Sequence, residues 1–244
     1  MTKKRNIEQE ISQRVEFIRK IVSEAKADGI VFGNSGGKDC ALVGILCKMA
    51  CENTLGVIMP CESKQNYRQD KDDAEVLAEQ FNIQTRIVDL TQTKKSLVDA
   101  VERTTQTTAP ALANIAPRLR MTTLYAIAAS ENRIVAGTGN RSETYMGYFT
   151  KWGDGAYDFN PIADLTVTEV YEFLRFLNAP QSIIEKAPSA GLFDGQTDES
   201  EMGISYKSID KYLLGLEVED RERQIIDSYH LRSIHKRTKA PVFG

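Results

Sequence analysis

The stretch "IVFGNSGGKDCALVGILCKMA", residues 30–50, decides the fold class. It begins with a short apolar run, continues through a turn of small residues at 33–40, and ends in an apolar segment of helical length. A buried strand that leads through a glycine turn into a helix is typical of parallel α/β proteins. At the turn, the N-terminus of the helix presents free backbone N–H groups, which bind anions such as phosphate. The sequence therefore predicts a phosphate site here.

The turn departs from the P-loop in spacing and in chemistry. A P-loop has four residues between its first glycine and the Gly-Lys pair, and Ser or Thr follows the lysine. Here three residues separate Gly33 from Gly37, and Asp39 follows Lys38. A carboxylate beside phosphate is unfavourable unless a divalent cation lies between them, so Asp39 suggests Mg²⁺. The residues alone leave open the alternative that the glycines form a tight turn and Asp39 caps the helix.

The chain around this turn alternates between strands and helices. Helical spacing of apolar residues predicts a first helix over 7–27 and a long helix over 111–131, with Leu124, Ile127 and Ala128 in the core. The alternation predicts one domain built on a parallel β-sheet flanked by helices on both faces. The predicted strands cover 30–33, 55–59, 85–90 and 133–137, and the other predicted helices cover 39–51, 70–81, 93–103, 166–177, 205–214 and 217–236.

A second turn, "GTGNRSE" at 137–143, follows the last predicted strand. Ligands of parallel α/β sheets bind beyond the carboxyl ends of the strands, where both turns lie. Thr138 offers a hydroxyl, and Glu143 is a second carboxylate and a candidate partner of Asp39 in a metal site. The alternative is that Ser142 and Glu143 simply open a helix.

Composition and charge narrow the class of protein. A net charge of -3 over 244 residues disfavours a broad nucleic-acid surface. Apolar stretches are too short to span a membrane, and the polar "IEQEISQRVE" stands where a signal peptide is apolar. We therefore expect a cytoplasmic protein without nucleic-acid or membrane partners. The four cysteines and two histidines lack zinc-site spacing, so we expect packed, reduced thiols, with only Cys40 set apart by its place in the turn.

Two polar, glycine-rich loops, at 150–160 and 187–203, are typical of binding loops or lids. Basic residues occur in and around them. A solvated basic face is one interpretation, but beside two phosphate turns these residues favour a ligand with several phosphates. They are Arg118, Arg120, Lys151, Lys186 and the segment 235–239.

The motif "SGGKDC" resembles the SGGxDS loop of the N-type ATP pyrophosphatases, which cleave ATP between the α and β phosphates. Longer stretches, "NIAPRLRMTTLY", "IVAGTGNRSETYMGYFTKWGDGAYDFNPIADL" and "GQTDESEMGISYKSIDKYL", are similar to the NAD synthetases over nearly the whole chain. The resemblance implies a Rossmann-like fold of the adenine nucleotide alpha hydrolase type. It also implies a homodimeric, ammonia-dependent ligase that converts deamido-NAD, ATP and ammonia to NAD, AMP and pyrophosphate. We expect one synthetase domain over 1–244, without a glutaminase domain.

The resemblance also assigns site residues. It implies that Asp39 and Glu143 hold Mg²⁺ and, with Lys151, form the catalytic group; Lys151 is expected to close over the adenylated intermediate. Deamido-NAD is expected at Arg118, Lys151, Asp158, His235 and Lys236. ATP is expected at Gly33, Asn34, Ser35, Gly36, Gly37, Lys38, Asp39, Cys40, Thr138 and Ser189.

Three positions depart from the family pattern. Cys40 replaces a serine, Val167 a lysine that contacts ATP, and Gly191 an aspartate. Lys38 is a candidate replacement for the charge missing at Val167. Two rival functions stay open: another N-type ATP pyrophosphatase, such as a tRNA-thiolating enzyme, and a catalytically silent nucleotide-binding dimer. The net charge and the cysteine spacing disfavour the first, and retention of both carboxylates disfavours the second.

Overall fold

A four-stranded parallel sheet lies at the centre of the chain. The structure, a computed structural model, describes residues 5–61, 66–186 and 198–243, without the side chains of 66–71. The strands run in the order β3-β2-β1-β4, and every pairing is parallel. They are β1 (Gly29–Gly33), β2 (Thr54–Ile58), β3 (Gln84–Ile87) and β4 (Arg133–Val135).

Helices connect the strands and follow the last one. The first six are α1 (Ile7–Ala25), α2 (Lys38–Ala50), α3 (Asn66–Gln80), α4 (Thr91–Glu102), α5 (Ala109–Ala113) and α6 (Ile115–Ser130). After β4 come α7 (Arg141–Met146), α8 (Val167–Phe176), α9 (Gln181–Glu185), α10 (Asp198–Met202), α11 (Tyr206–Leu213), α12 (Asp220–Arg232) and α13 (Ile234–Arg237). In the described part of the chain, no helix combines the length and the apolar character that crossing a membrane requires.

The sheet is covered on both faces, as predicted. Successive side chains of a strand point to opposite faces. Ile30 and Phe32 of β1 pack with buried residues of α1, α2 and α8, whereas Val31 packs with β2 and with Ala116 and Ala128 of α6. The predicted fold class is therefore confirmed.

The strand order locates the binding crevice. From β1 the chain builds outward to β2 and β3, and then returns to add β4 on the other side of β1. In such sheets the ligand crevice lies at the carboxyl ends of the two strands where the order reverses. The turns after β1 and after β4 therefore meet at one edge of the sheet.

The predicted helix over 111–131 is two helices, α5 and α6, separated at Asn114. Pro117 lacks an N–H and cannot bond the carbonyl of Ala113, so a continuous helix is broken there. The side chain of Asn114 stabilises the break by donating to Pro110 O at 2.7 Å. The helix predicted over 217–236 is likewise divided at Ser233, whose Oγ donates to Tyr229 O at 2.6 Å.

Two burial predictions are only partly right. Ala128 is buried, but Leu124 and Ile127 pack against the same cluster while remaining half-buried. The last predicted strand, over 133–137, is shorter in the structure. Strand β4 stops at Val135, and Ala136 forms only an isolated bridge with Phe159.

Candidate active site

The glycine turn after β1 opens towards the crevice. Gly36 has φ of 71°, in the left-handed region that glycine adopts without strain. Gly37 is the N-cap of α2 and the helix begins at Lys38, so Asp39 lies inside the first turn. The alternative in which Asp39 caps the helix is therefore wrong. Because the first N–H groups of a helix have no intrahelical partner, this end of α2 suits phosphate.

Two side chains hold the turn in shape. Asn34 is buried; its Nδ2 donates to Ala74 O at 3.3 Å, and its Oδ1 accepts from Gly36 N at 3.3 Å. Ser35 Oγ accepts from Gly37 N at 3.4 Å. The predicted phosphate turn is thus held by hydrogen bonds between its own residues, and the bond to Ala74 anchors it to α3.

Cys40 is a packed thiol in the first turn of α2, which corrects the expectation that its place in the turn set it apart. Its Sγ lies 3.2 Å from Ser35 Oγ. Burial raises the pKa of the Cys40 thiol, and the influence of Ser35 and of the Thr138 side chain only partly opposes this. Cys40 therefore lies near Thr138 of the second turn as well as against Ser35 of the first. Cys40, Cys47, Cys51 and Cys61 are all in the reduced thiol form.

Asn140 joins the two turns, and the sequence analysis missed it. As N-cap of α7, its Oδ1 accepts from Glu143 N at 2.9 Å, and Glu143 Oε2 accepts from Asn140 N at 3.4 Å. Its Nδ2 donates to Asp39 Oδ1 at 3.0 Å. The spacing Asn-x-x-Glu is a capping signal that sequence reasoning can find. The alternative that Ser142 and Glu143 open a helix is also correct, and it does not exclude a site.

Asp39 and Glu143 meet at one ammonium group. Lys38 Nζ lies 2.6 Å from Asp39 Oδ2 and 3.5 Å from Glu143 Oε1. All three side chains are largely buried. The structure thus brings together the two carboxylates that the sequence predicts as a pair, and it places a cation between them.

The charges of this cluster shift the pKa values of its members. Burial disfavours the Lys38 ammonium, but Asp39 and Glu143 outweigh burial and raise the pKa of Lys38. Burial raises the pKa of Glu143 to about 8, Asp39 adds to the rise, and Lys38 opposes it. The crevice therefore favours a cation beside the two carboxylates.

The carboxylate pair fits magnesium that arrives with a nucleotide. Mg²⁺ is commonly bound by one or two carboxylates together with phosphate oxygens and water. Across 5–61, 66–186 and 198–243, no group of three or more His, Cys, Asp or Glu side chains is placed to hold a metal. Asp39 and Glu143 are fewer ligands than Mg²⁺ takes, so phosphate oxygens and water would have to supply the others.

Tyr206 forms a wall of the crevice. The Lys38 ammonium lies 5.6 Å from the centre of its ring, and its hydroxyl donates to Asp198 Oδ2 at 3.0 Å. Burial, followed by the charges of Glu143 and Asp198, raises the pKa of Tyr206, so it remains a neutral phenol. The Val167 side chain is buried in the same apolar cluster as Tyr206, and its backbone N–H donates to Ser142 Oγ at 3.3 Å.

A second group of predicted residues lies where α6, the 150–160 loop and α13 meet. Arg118 Nη2 donates to Lys151 O at 3.3 Å, and Lys151 Nζ donates to His235 O at 2.7 Å. Lys236 Nζ donates to Gly147 O at 2.7 Å and to the carbonyl of residue 149 at 2.6 Å. Burial lowers the pKa of Lys236. The structure therefore gathers Arg118, Lys151, His235 and Lys236.

Asp158, predicted to contact deamido-NAD, anchors the end of β4. Its Oδ2 accepts from Val135 N at 2.7 Å, and its Oδ1 accepts from Tyr125 Oη at 3.1 Å. Burial and Asp158 together raise the pKa of Tyr125 to about 12. Both carboxylate oxygens thus already hold protein groups.

Asp210 is a second buried side chain that sequence reasoning missed. Its carboxylate accepts from Ser142 Oγ at 2.5 Å, from Thr168 N at 2.7 Å and from Thr168 Oγ1 at 2.6 Å. It therefore ties α7 and α8 to α11 directly beside Glu143. An aspartate within an amphipathic helix carries no sequence signal of this role. Ser189 and Gly191 lie outside the described residues, as does 187–197 of the predicted second loop.

The fold and this crevice define the class of protein: a Rossmann-like α/β enzyme of the adenine nucleotide alpha hydrolase type. The family model for NAD synthase matches residues 10–240. The chain therefore belongs to the NAD synthase family, and it is a ligase.

Individual relatives are similar to this chain over almost its whole length. It is 47% identical to the NH(3)-dependent NAD(+) synthetase of Carboxydothermus hydrogenoformans, over 95% of this chain and 96% of that one. The structure of NMN synthetase from Francisella tularensis matches with a TM-score of 0.93 and 38% identity, over 98% of this chain and 99% of that chain. The NH3-dependent NAD synthetase from Campylobacter jejuni matches with a TM-score of 0.80 and 29% identity, over 98% and 100%. The family and fold predicted from the sequence are confirmed.

Proposed function

We propose that this chain catalyses the last step of NAD biosynthesis, in which deamido-NAD, ATP and ammonia give NAD, AMP and pyrophosphate. The observation that carries the proposal is the meeting of Asp39 and Glu143 at the β1/β4 crevice, beside the glycine turn. The family match over residues 10–240 supports the reaction and a single synthetase domain. The names of the relatives support ammonia as the nitrogen source.

The chemistry requires activation of a carboxylate, because oxide is a poor leaving group. Transfer of AMP to the nicotinate carboxylate gives a mixed anhydride, and ammonia then displaces AMP through an oxyanion. This route needs positioning and charge neutralisation, and it needs no covalent nucleophile from the protein.

The residues of the crevice have distinct roles in this scheme. The N–H groups at the start of α2 and the turn at 33–37 bind the ATP phosphates. Asp39 and Glu143 would hold magnesium, which supplies positive charge against the triphosphate when bound. Asn140 keeps the two carboxylates in register, and Tyr206 shields the crevice from water.

The predicted residues that meet between α6, the 150–160 loop and α13 support a deamido-NAD site. An ammonium has three N–H donors, and Lys236 uses two of them for carbonyls, which leaves one for a ligand. Asp158 keeps further acceptor lone pairs beyond those used by Val135 and Tyr125. Lys151 lies between Arg118 and His235, at a position from which its loop can cover the anhydride.

A second candidate is amidation of nicotinate mononucleotide to NMN. It is favoured by one observation: the Francisella tularensis structure is named an NMN synthetase, and its TM-score of 0.93 and 38% identity exceed the 0.80 and 29% of the Campylobacter jejuni NAD synthetase. The two candidates share ATP, ammonia and the adenylated carboxylate, and they differ only in the acceptor.

One assay tests both candidates. The purified protein is incubated with ATP, Mg²⁺ and ammonium, with deamido-NAD in one reaction and nicotinate mononucleotide in the other. We expect NAD and AMP in equal amounts and a higher kcat/KM for deamido-NAD. ADP as the product would refute the reaction type, and a higher kcat/KM for the mononucleotide would favour the second candidate. Lys151→Ala should lower kcat while ATP binding is retained; unchanged turnover would remove its proposed role.

The assembly and location belong to the same proposal. The half-buried apolar side chains of α6, such as Leu124 and Ile127, support a homodimer in which a second copy covers this helix. The four reduced cysteines support a reducing compartment, which we take to be the cytoplasm.

A further inference from the structure

Lys38 lies where the proposed metal site needs positive charge. Its ammonium is within 4 Å of both candidate ligands, at 2.6 Å from Asp39 and 3.5 Å from Glu143. The ring of Tyr206 faces the same ammonium at 5.6 Å. Only 7% of the Lys38 side chain is exposed, so water does little to screen these contacts.

The two carboxylates require a cation at this depth. The side chains of Asp39 and Glu143 are 14% and 19% exposed. Buried carboxylates that face each other are unfavourable unless a positive charge neutralises them. Lys38 supplies one such charge from within the chain, so it offsets part of this cost without any metal.

The ammonium group of a lysine can also move away from this position. Its ammonium is a compact point charge on a flexible four-carbon stem, unlike the rigid fork of arginine. Lys38 is the first residue of α2, so its backbone lies at the helix end that we propose binds phosphate. A triphosphate bound there would attract the ammonium more strongly than two carboxylates do.

We propose that Lys38 is a built-in counter-ion that competes with the divalent cation for Asp39 and Glu143 until nucleotide binds. The phosphates then draw the ammonium away, and the two carboxylates become available to the metal. The metal consequently binds together with the nucleotide rather than before it. This inference rests on the proposed role of Asp39 and Glu143 as metal ligands.

Binding of Mn²⁺ to the full chain, followed by the electron paramagnetic resonance signal of free Mn²⁺, tests the competition. Without nucleotide, Lys38→Met should bind Mn²⁺ about tenfold more tightly than the wild type, because the competing ammonium is gone. With a non-hydrolysable ATP analogue, the difference should shrink. Lys48→Met is the matched control, since Lys48 lies on the same helix, is 14% exposed and pairs with Glu52 at 2.5 Å. Equal or weaker Mn²⁺ binding by Lys38→Met without nucleotide overturns the proposal.

Thermal unfolding gives an independent readout. In EDTA, Lys38→Met should unfold at a lower temperature than the wild type, and Mg²⁺ should restore most of the loss. A loss that Mg²⁺ does not restore overturns the proposal. Should Lys38→Met fold poorly, Lys38→Gln is put through the same measurements.

Asp39→Asn separates failure of this inference from failure of the proposed metal site. If Asp39→Asn leaves nucleotide-dependent Mn²⁺ binding unchanged, the metal ligands are misassigned and the inference falls with them. If Asp39→Asn abolishes that binding while Lys38→Met shows no gain without nucleotide, only the role of Lys38 is wrong. Formation of NAD by the wild type tests the reaction separately.

Discussion

The positions of Asp39 and Glu143 depend on two buried polar side chains. Asn140 donates to Asp39 and caps the helix that carries Glu143. Asp210 accepts a hydrogen bond from Ser142, the neighbour of Glu143. Both are largely or fully buried, so their hydrogen bonds are made in a low-dielectric environment where a lost partner is costly.

Asp210→Asn tests this support. The amide turns a donor towards groups that already donate, so we expect the free energy of unfolding to fall by about 2–4 kcal/mol. We also expect a lower kcat, because Ser142 and therefore Glu143 lose their anchor. Urea denaturation and steady-state kinetics measure the two effects.

Asp227→Asn is the matched control on α12. Its carboxylate accepts from Tyr212 Oη at 2.7 Å in a half-buried position. We expect a loss of about 1 kcal/mol or less. Equal losses of unfolding free energy in the two variants would show that Asp210 contributes no more to stability than Asp227 does.

Helix α7 connects the two halves of the proposed site. Its first turn carries Glu143, and its C-terminal end is held by cations from α13. Arg237 donates to Thr144 O and Tyr145 O, each at 3.3 Å, and Lys236 donates to Gly147 O. Positive charge near the last carbonyls of a helix is stabilising. We therefore expect a shift of α13 to displace α7 and, with it, Glu143.

The C-cap of α7 has room only for glycine. Gly147 has φ of 68°, and a Cβ there would lie 2.1 Å from Ser233 Cβ. Gly147→Ala combines left-handed strain with a clash, so we expect a loss of about 2–4 kcal/mol in the free energy of unfolding. Gly215 has φ of 73° with open space around it. Gly215→Ala should therefore cost only about 1 kcal/mol. Similar losses by urea denaturation would show that the contact between α7 and Ser233 is unimportant.

Helices and strands were predicted well wherever the pattern of neighbouring residues determines them. Strands β1 and β2 and helices α1 and α2 lie within a few residues of their predictions, because apolar periodicity and glycine turns are local signals. The break at Asn114 was missed, although Pro117 signals it, because the apolar spacing continues through it. Helices α9 and α10 were missed because each is a single turn of five residues.

At the scale of the whole molecule, one carboxylate connects both edges of the sheet. Glu131 accepts hydrogen bonds from Arg86 of β3 and from Arg133 of β4. These bonds lower the pKa of Glu131 from 4.5 to about 2. A carboxylate with a lowered folded pKa stabilises the fold above its unfolded pKa, and this stabilisation is lost as pH falls through the folded value.

Glu131→Gln should therefore change the acid sensitivity of the chain. We expect its melting temperature to fall less steeply than that of the wild type between about pH 4.5 and pH 2, because the variant has no such proton to bind. Glu24→Gln on α1 is the control, since Glu24 lies 3.8 Å from a single exposed lysine. Parallel pH profiles for the wild type and Glu131→Gln would disprove the contribution.

The molecular mass of the protein in solution tests the proposed dimer. Light scattering should give twice the chain mass of 27.3 kDa. Ile127→Glu should shift the protein towards the single-chain mass, because it places a charge on the face of α6 that we propose a second copy covers. Phe176→Glu is the control, since Phe176 is 50% exposed on α8. A wild type at the single-chain mass would refute the dimer.

The sequence by itself determined the parallel α/β class, the glycine turn after β1 and the two carboxylates, together with the family that their wider motifs resemble. Periodicity and turn composition are local properties, so neighbouring residues are sufficient to predict them. The roles assigned to ATP and deamido-NAD contacts remain predictions.

Only the tertiary structure decided that Lys38 pairs with Asp39 and Glu143. It also decided that Asn140 bonds Asp39, that Asp210 bonds Ser142 beside Glu143, and that Leu124 and Ile127 stay half-buried. Lysine is long and flexible, so the charges and burial around it determine where its ammonium lies. Those surroundings come from segments far apart in the chain, which meet only because the strand order places β4 beside β1.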